Sequence, residues 1–149
     1  MSTNSMYFDI LQAVKQRVRE VSGDIVPTIR KRPILLVTDS IPSIIISPGP
    51  GAETIGLEAF NRTVEYRYPV TITLVSAGDR VTEVDVQGAL ELRERIRNQM
   101  YQPMLEGVVS VHDTEIDLDP PYSTAAGPTT VYDVSAIRLT YLTMETRTA

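Results

Sequence analysis

Between residues 63 and 74 the chain alternates without a break. Val64, Tyr66, Tyr68, Val70, Ile72 and Leu74 fall on one side of an extended strand, and Thr63, Glu65, Arg67, Pro69, Thr71 and Thr73 on the other. A strand over 64–75 would be on the order of 40 Å long, against a usual length of roughly 5–6 residues. Pro69 cannot donate to a ladder, so its position predicts a bulge or a stretch of sheet edge. A strand longer than the core it covers leaves side chains for a neighbouring subunit or a lumen. Glu65, Arg67, Thr71 and Thr73 are the expected interface positions. The competing expectation is a strand that bends at Pro69 and wraps its own core.

Helical spacing governs two other segments. Tyr7, Ile10, Leu11, Val14, Val18 and Val21 recur on one stripe, with Asn4 or Ser5 available as a cap and Ser22–Gly23 as a stop. Thr82 and Asp85 form a capping-box pattern ahead of a second helix over about 83–100. Its expected core side is Val86, Ala89, Leu90, Ile96 and Met100, and Glu91 with Arg95 and Glu94 with Arg97 lie on the exposed face.

The apolar runs at 34–39 and 43–47 read as two buried strands, or as one strand broken at Pro42. Residues 24–33 read as a connector, and 48–61 and 120–130 as long proline-containing loops. Residues 109–119 alternate again, placing Val109, Val111, Asp113, Glu115, Asp117 and Asp119 opposite Ser110, His112, Thr114, Ile116 and Leu118. A terminal strand over about 131–147 sets Ile137, Leu139 and Tyr141 against Arg138 and Thr140. The pattern predicts a single α+β domain over 1–149, with a mostly antiparallel mixed sheet, two main helices on one face and long projecting strands.

Composition narrows the function. A chain of 149 residues with 42% hydrophobic and 22% charged content can bury one core. The net charge of −5 speaks against a protein that grips nucleic acid, though not against one that lets DNA pass. With no cysteine, thiolate catalysis and cysteine-ligated metals are excluded, and folding in a reducing cytoplasm is expected. No apolar run approaches the roughly 18 residues of a membrane span, so no membrane partner is expected.

No catalytic, cofactor-binding or metal-binding residue stands out. His112 and Asp113 are adjacent on a strand and should point to opposite faces, which argues against a shared proton. Asp113, Glu115, Asp117 and Asp119 share one face. Their spacing of nearly 7 Å is too wide for one cation without further ligands. They are read as a solvated, partner-facing or lumen-facing acidic strip, with a metal-dependent hydrolase as the enzymatic alternative. The prolines in "SPGPGAE" remove amide donors that a phosphate cradle needs, and no nucleophile motif surrounds Ser40 or Ser47. "RKR" at 30–32 is a basic cluster able to meet an acidic partner. A monomeric peptide-binding module with an open strand edge is a third class.

In the order of its elements the chain resembles the tail-terminator and neck proteins of tailed bacteriophages. The segments that carry the likeness are "RPILLVTDSIPSIIISPG", "VEYRYPVTITLVSAG", "GVVSVHDTEIDLD" and "TTVYDVSAIRLTYLTMETR", each group placed relative to the two helices and together covering about 6–147. No functional residue is transferred, because no short motif anchors one. The resemblance implies a non-enzymatic virion subunit, assembled in the host cytoplasm, usually with six copies in a ring. Such a ring ends tail-tube growth, contacts the tube protein and the head-completion or connector protein, and leaves an axial channel for DNA. A head-completion (stopper) protein is the alternative within that group. An acidic lumen would let DNA slide by repelling phosphate.

Overall fold

A computed structural model describes residues 5–36, 39–49, 54–58, 63–101, 105, 108, 111–120, 123–126 and 131–146. The elements run α1 (Met6–Arg19), β1 (Thr28–Ile29), β2 (Ser43–Pro48), β3 (Thr54–Glu58), β4 (Thr63–Ala77), α2 (Glu83–Met100), β5 (Val111–Leu118), β6 (Ser123–Ala126) and β7 (Val131–Thr146). The fold is α+β. One seven-stranded mixed sheet has the order β1-β2-β4-β7-β5, with β3 added to β4 and β6 to β7. Among the described strands, only the β1–β2 pair is parallel.

The long strand predicted at 64–75 is β4, and its partner is the terminal strand β7. All 15 residues of β4 pair with β7 in unbroken register, from Thr63↔Thr146 to Ala77↔Tyr132. Each side of this ribbon carries two short strands end to end. β2 and β3 line β4, whereas β6 and β5 line β7. Pro69 needs no bulge. Its carbonyl accepts from Gly49 N–H on the β2 side, so its missing donor also faces that side. There β2 has ended at Pro48↔Val70 and β3 begins at Thr54↔Arg67, which leaves a notch in the ladder. Gly49 makes the exit from β2 at φ 78°, where a Cβ would be disfavoured.

The even-numbered face of β4 packs with both helices. Tyr68, Val70 and Ile72 join Ile44 and Ile46 of β2, Ile137, Leu139 and Tyr141 of β7, and Ile10, Val14 and Val18 of α1 in one cluster. Ile96 and Met100 tie α2 to it. Ser5 caps α1 by accepting from Phe8 N–H, and Thr82 with Asp85 closes the predicted capping box on α2. Tyr7 fixes α1 to the notch: its hydroxyl donates to the Pro69 carbonyl and accepts from Gly49 N–H, and its ring lies 5.0 Å from that of Tyr68.

Several expectations change. Residues 34–36 form no strand, and Ile34 and Leu36 are 52% and 54% exposed. The strand beside β2 comes instead from the connector, at Thr28–Ile29. The two expected loops contain β3 and β6. Of α2's expected core side, only Ile96 and Met100 are buried; Val86 is exposed, and Ala89 and Leu90 are half-buried. Asn4, Val109 and Ser110 lie outside the described residues.

Candidate interaction surfaces

The sheet face away from the helices carries the predicted polar positions, and the structure divides them. Thr71 and Thr73 are buried at 4% and 6% exposure, and the Thr71 hydroxyl donates to the Gly49 carbonyl. Ile45, Val75 and Leu142 are buried around them, on register positions of the same face. The chain's own packing has therefore taken two of the four expected interface residues. Glu65 and Arg67 keep solvent exposure.

A β-bulge reorders the acidic strip. Val111 pairs with Thr143 and Asp113 with the adjacent Leu142, leaving His112 unpaired between them. Val111 consequently enters the core, while Asp113, Glu115 and Asp117 register with Leu142, Thr140 and Arg138 on the other face. Sequence alternation had put Val111 on the strip's side. The bulge also brings His112 Nε2 to 3.5 Å from the Glu65 carboxylate. The expected separation of His112 from the acidic face thus does not hold.

The strip is laced rather than bare. Arg67 reaches both Glu115 oxygens at 3.5 Å and Glu65 at 3.8 Å. Arg138 grips Asp119 through two bonds, Nε to Oδ1 at 2.9 Å and a terminal nitrogen to Oδ2 at 3.0 Å. The Asp119 bond, followed by the Asp119 and Asp117 charges, raises the Arg138 pKa against the opposing effect of burial. These pairs are at least partly exposed, so each contributes no more than about 1 kcal/mol. Five carboxylates, at Glu65, Asp113, Glu115, Asp117 and Asp119, face two guanidinium groups, and the surface remains acidic. Among the described residues, no three His, Asp or Glu side chains converge as a metal-ligating group.

A second surface was not legible in the sequence. The N-terminal half of α2 stands off the sheet, and a groove of about 610 Å3 opens beneath it. Leu74 and Ser135, register partners on the helix-facing side of the sheet, floor it, Ala89 and Leu90 form the helical wall, and Ile41–Pro42 make one lip. Val81 and Val86, 72% and 39% exposed, stand at its mouth. Gly88 adds to the opening, since a Cβ there would meet nothing within 4 Å. The one sequence signal was the scatter of α2's apolar residues around the helix, compared with the single stripe of α1.

The loop before β2 is held by a strong clasp. Arg30 donates to both carboxylate oxygens of Asp39, at 2.5 and 2.6 Å, and to the Ile34 carbonyl at 3.0 Å. Leu36 N–H donates to the same carboxylate. The Arg30 hydrogen bonds, helped by Leu36 N–H and opposed by burial, hold the Asp39 carboxyl down at about 2. Elsewhere, burial pushes the Tyr141 hydroxyl pKa up, and that hydroxyl has no hydrogen-bond partner among the described residues.

No described helix is long and apolar enough to cross a membrane. No protein-family profile matches the chain, and no curated protein is significantly similar to it.

Proposed function

We propose that this chain is a ring-forming structural subunit at the tail–head junction of a tailed bacteriophage, acting as a tail terminator. It ends tube growth, joins the tail to the filled head and leaves an axial channel for DNA. The observation that carries this reading is the β4/β7 ribbon with its short flanking strands. Both helices pack on one face of that ribbon, and the other face presents an acidic surface with Glu65 and Arg67 in its midst. That arrangement suits assembly and repulsion of phosphate better than ligand turnover. The resemblance in element order points the same way.

The test is to interrupt the gene in the replicon that carries it and image the lysate by negative-stain electron microscopy. Full heads beside unjoined tails of uncontrolled length support the terminator role. Heads that leak DNA, beside tails of normal length, move the chain to the stopper position. Normal joined particles sink the virion reading altogether.

A further inference from the structure

The sheet ends in two edges of opposite charge, β1 on one side and β5 on the other. We propose that β5 of one copy pairs with β1 of a neighbouring copy, so that the sheet continues from subunit to subunit. Three observations select a second copy as the partner.

The first is an open edge. Along β5, His112, Asp113, Glu115, Asp117 and Leu118 are exposed. Apart from Thr114, whose N–H donates to the Asp113 carboxylate, residues 112–118 show no backbone hydrogen bond beyond the β5–β7 ladder among the described residues. An exposed edge of this kind is a template for a further strand.

The second is charge. Asp113, Glu115 and Asp117 form a row along β5, offset by Arg67 at Glu115. Lys31 and Arg32 follow β1, are exposed, and form no ion pair among the described residues, whereas Arg30 beside them is held by Asp39. Opposite charges across a strand pair stabilise it, and like charges oppose it. Pairing β5 with β5 would set carboxylates against carboxylates, and pairing β1 with β1 would set the basic residues against their own copies. The unlike pairing, β5 with β1, is the one the charges favour. Because β1 contributes two residues, charge rather than ladder length sets the register.

The third is direction and face. β5 runs parallel to β4, and β1 runs with β2 in the opposite sense. A neighbour in the same orientation therefore presents β1 antiparallel to β5. The core side of β5 carries Ile116 and Leu118, and that of β1 carries Ile29. Leu118, 41% exposed, is left for the next subunit to cover, and Val26, just ahead of β1, is 58% exposed. A contact between unlike edges of identical chains is head-to-tail, and repetition closes a ring when the rotation permits. The inference rests on the ring-forming part of the proposed function and is independent of where the ring sits.

The chain's lysines are Lys15 and Lys31, so a carbodiimide that joins an ammonium directly to a carboxylate reports on few sites. Within one subunit β1 and β5 lie four strand spacings apart, about 19 Å, which is beyond such a link. Unlabelled and heavy-isotope-labelled chains are mixed at up to about 1 mM, where contacts with a millimolar Kd are substantially occupied, then treated, digested and read by mass spectrometry. The expected result is mixed-isotope links from Lys31 to Asp113, Glu115 or Asp117, at least several-fold above those from Lys15. Lys31→Glu with Arg32→Glu in one chain, or Asp113→Lys with Asp117→Lys in another, should each cut self-association several-fold by sedimentation. Mixing the two charge-exchanged chains should restore it, which a misfolded variant would not do. Self-association without the Lys31 links, unchanged by either exchange, overturns this contact and leaves the ring reading standing. A single-copy mass at every concentration, again without the links, overturns the contact and counts against ring formation in solution. Tail morphology in the interrupted phage is scored independently of either result.

Discussion

Arg30 and Asp39 meet through two parallel N–H···O bonds that close the loop between β1 and β2. The pair lies nine residues apart in sequence and is only 21% and 14% exposed at its side chains. Bidentate geometry and Leu36 N–H together hold the carboxylate in one orientation.

Loss of that carboxylate should destabilise the fold in a pH-dependent way. The Asp39 carboxyl is held at about 2, below its usual 3.8, so its contribution is complete above about pH 4 and disappears as pH falls through 2. After allowance for solvent screening the expected loss for Asp39→Asn at pH 7 is about 1–2 kcal/mol. Urea unfolding of both proteins between pH 7 and 2 checks it, and the gap between them should narrow at the acid end.

The two halves of α2 should respond differently to truncation. Ile96 is fully buried, so Ile96→Ala is expected to cost about 2–5 kcal/mol. Val84→Ala, in the first turn of α2 and 76% exposed, should stay within about 0.5 kcal/mol. Equal losses at both sites would contradict this difference in burial along α2.

Gly88 offers the opposite sign. It sits inside α2 with open space where a Cβ would go, so Gly88→Ala should stabilise the subunit by about 0.5–1 kcal/mol. The new methyl would line the groove. A thermal melt reads the gain.

Tyr141→Phe should be neutral or stabilising by up to about 1 kcal/mol, because it deletes a buried hydroxyl with no hydrogen-bond partner among the described residues. Differential scanning calorimetry settles the sign.

On the acidic strip, Asp113→Asn and Asp117→Asn should each change stability by less than about 0.5 kcal/mol. Asp119→Asn should cost more, since it breaks the two-bond contact with Arg138. If the strip lines a channel, the triple variant should fold normally yet give particles impaired in genome passage. DNA delivery per adsorbed particle is the measure.

The sequence by itself determined those elements whose signals are local. Ser5, Thr82 and Asp85 mark helix starts because capping bonds span three residues, and both helices begin where those caps stand. Strict alternation fixed the inward side of β4, where Tyr68, Val70 and Ile72 lie in the core. Tertiary structure decided what depends on distant partners. The apolar run at 34–36 is indistinguishable from a buried strand until β1 takes the place beside β2 and leaves Ile34 and Leu36 exposed. Pro69 is tolerated without a bulge only because β2 and β3 stop on either side of it. The bulge at His112 is a mismatch between two strands, and it alone separates Val111 from Asp113. Thr71 and Thr73 read as surface by polarity, and packing buried them. The standoff of α2 is the clearest case: helical periodicity orders side chains around one axis, but the distance of that axis from a sheet is set by both surfaces together.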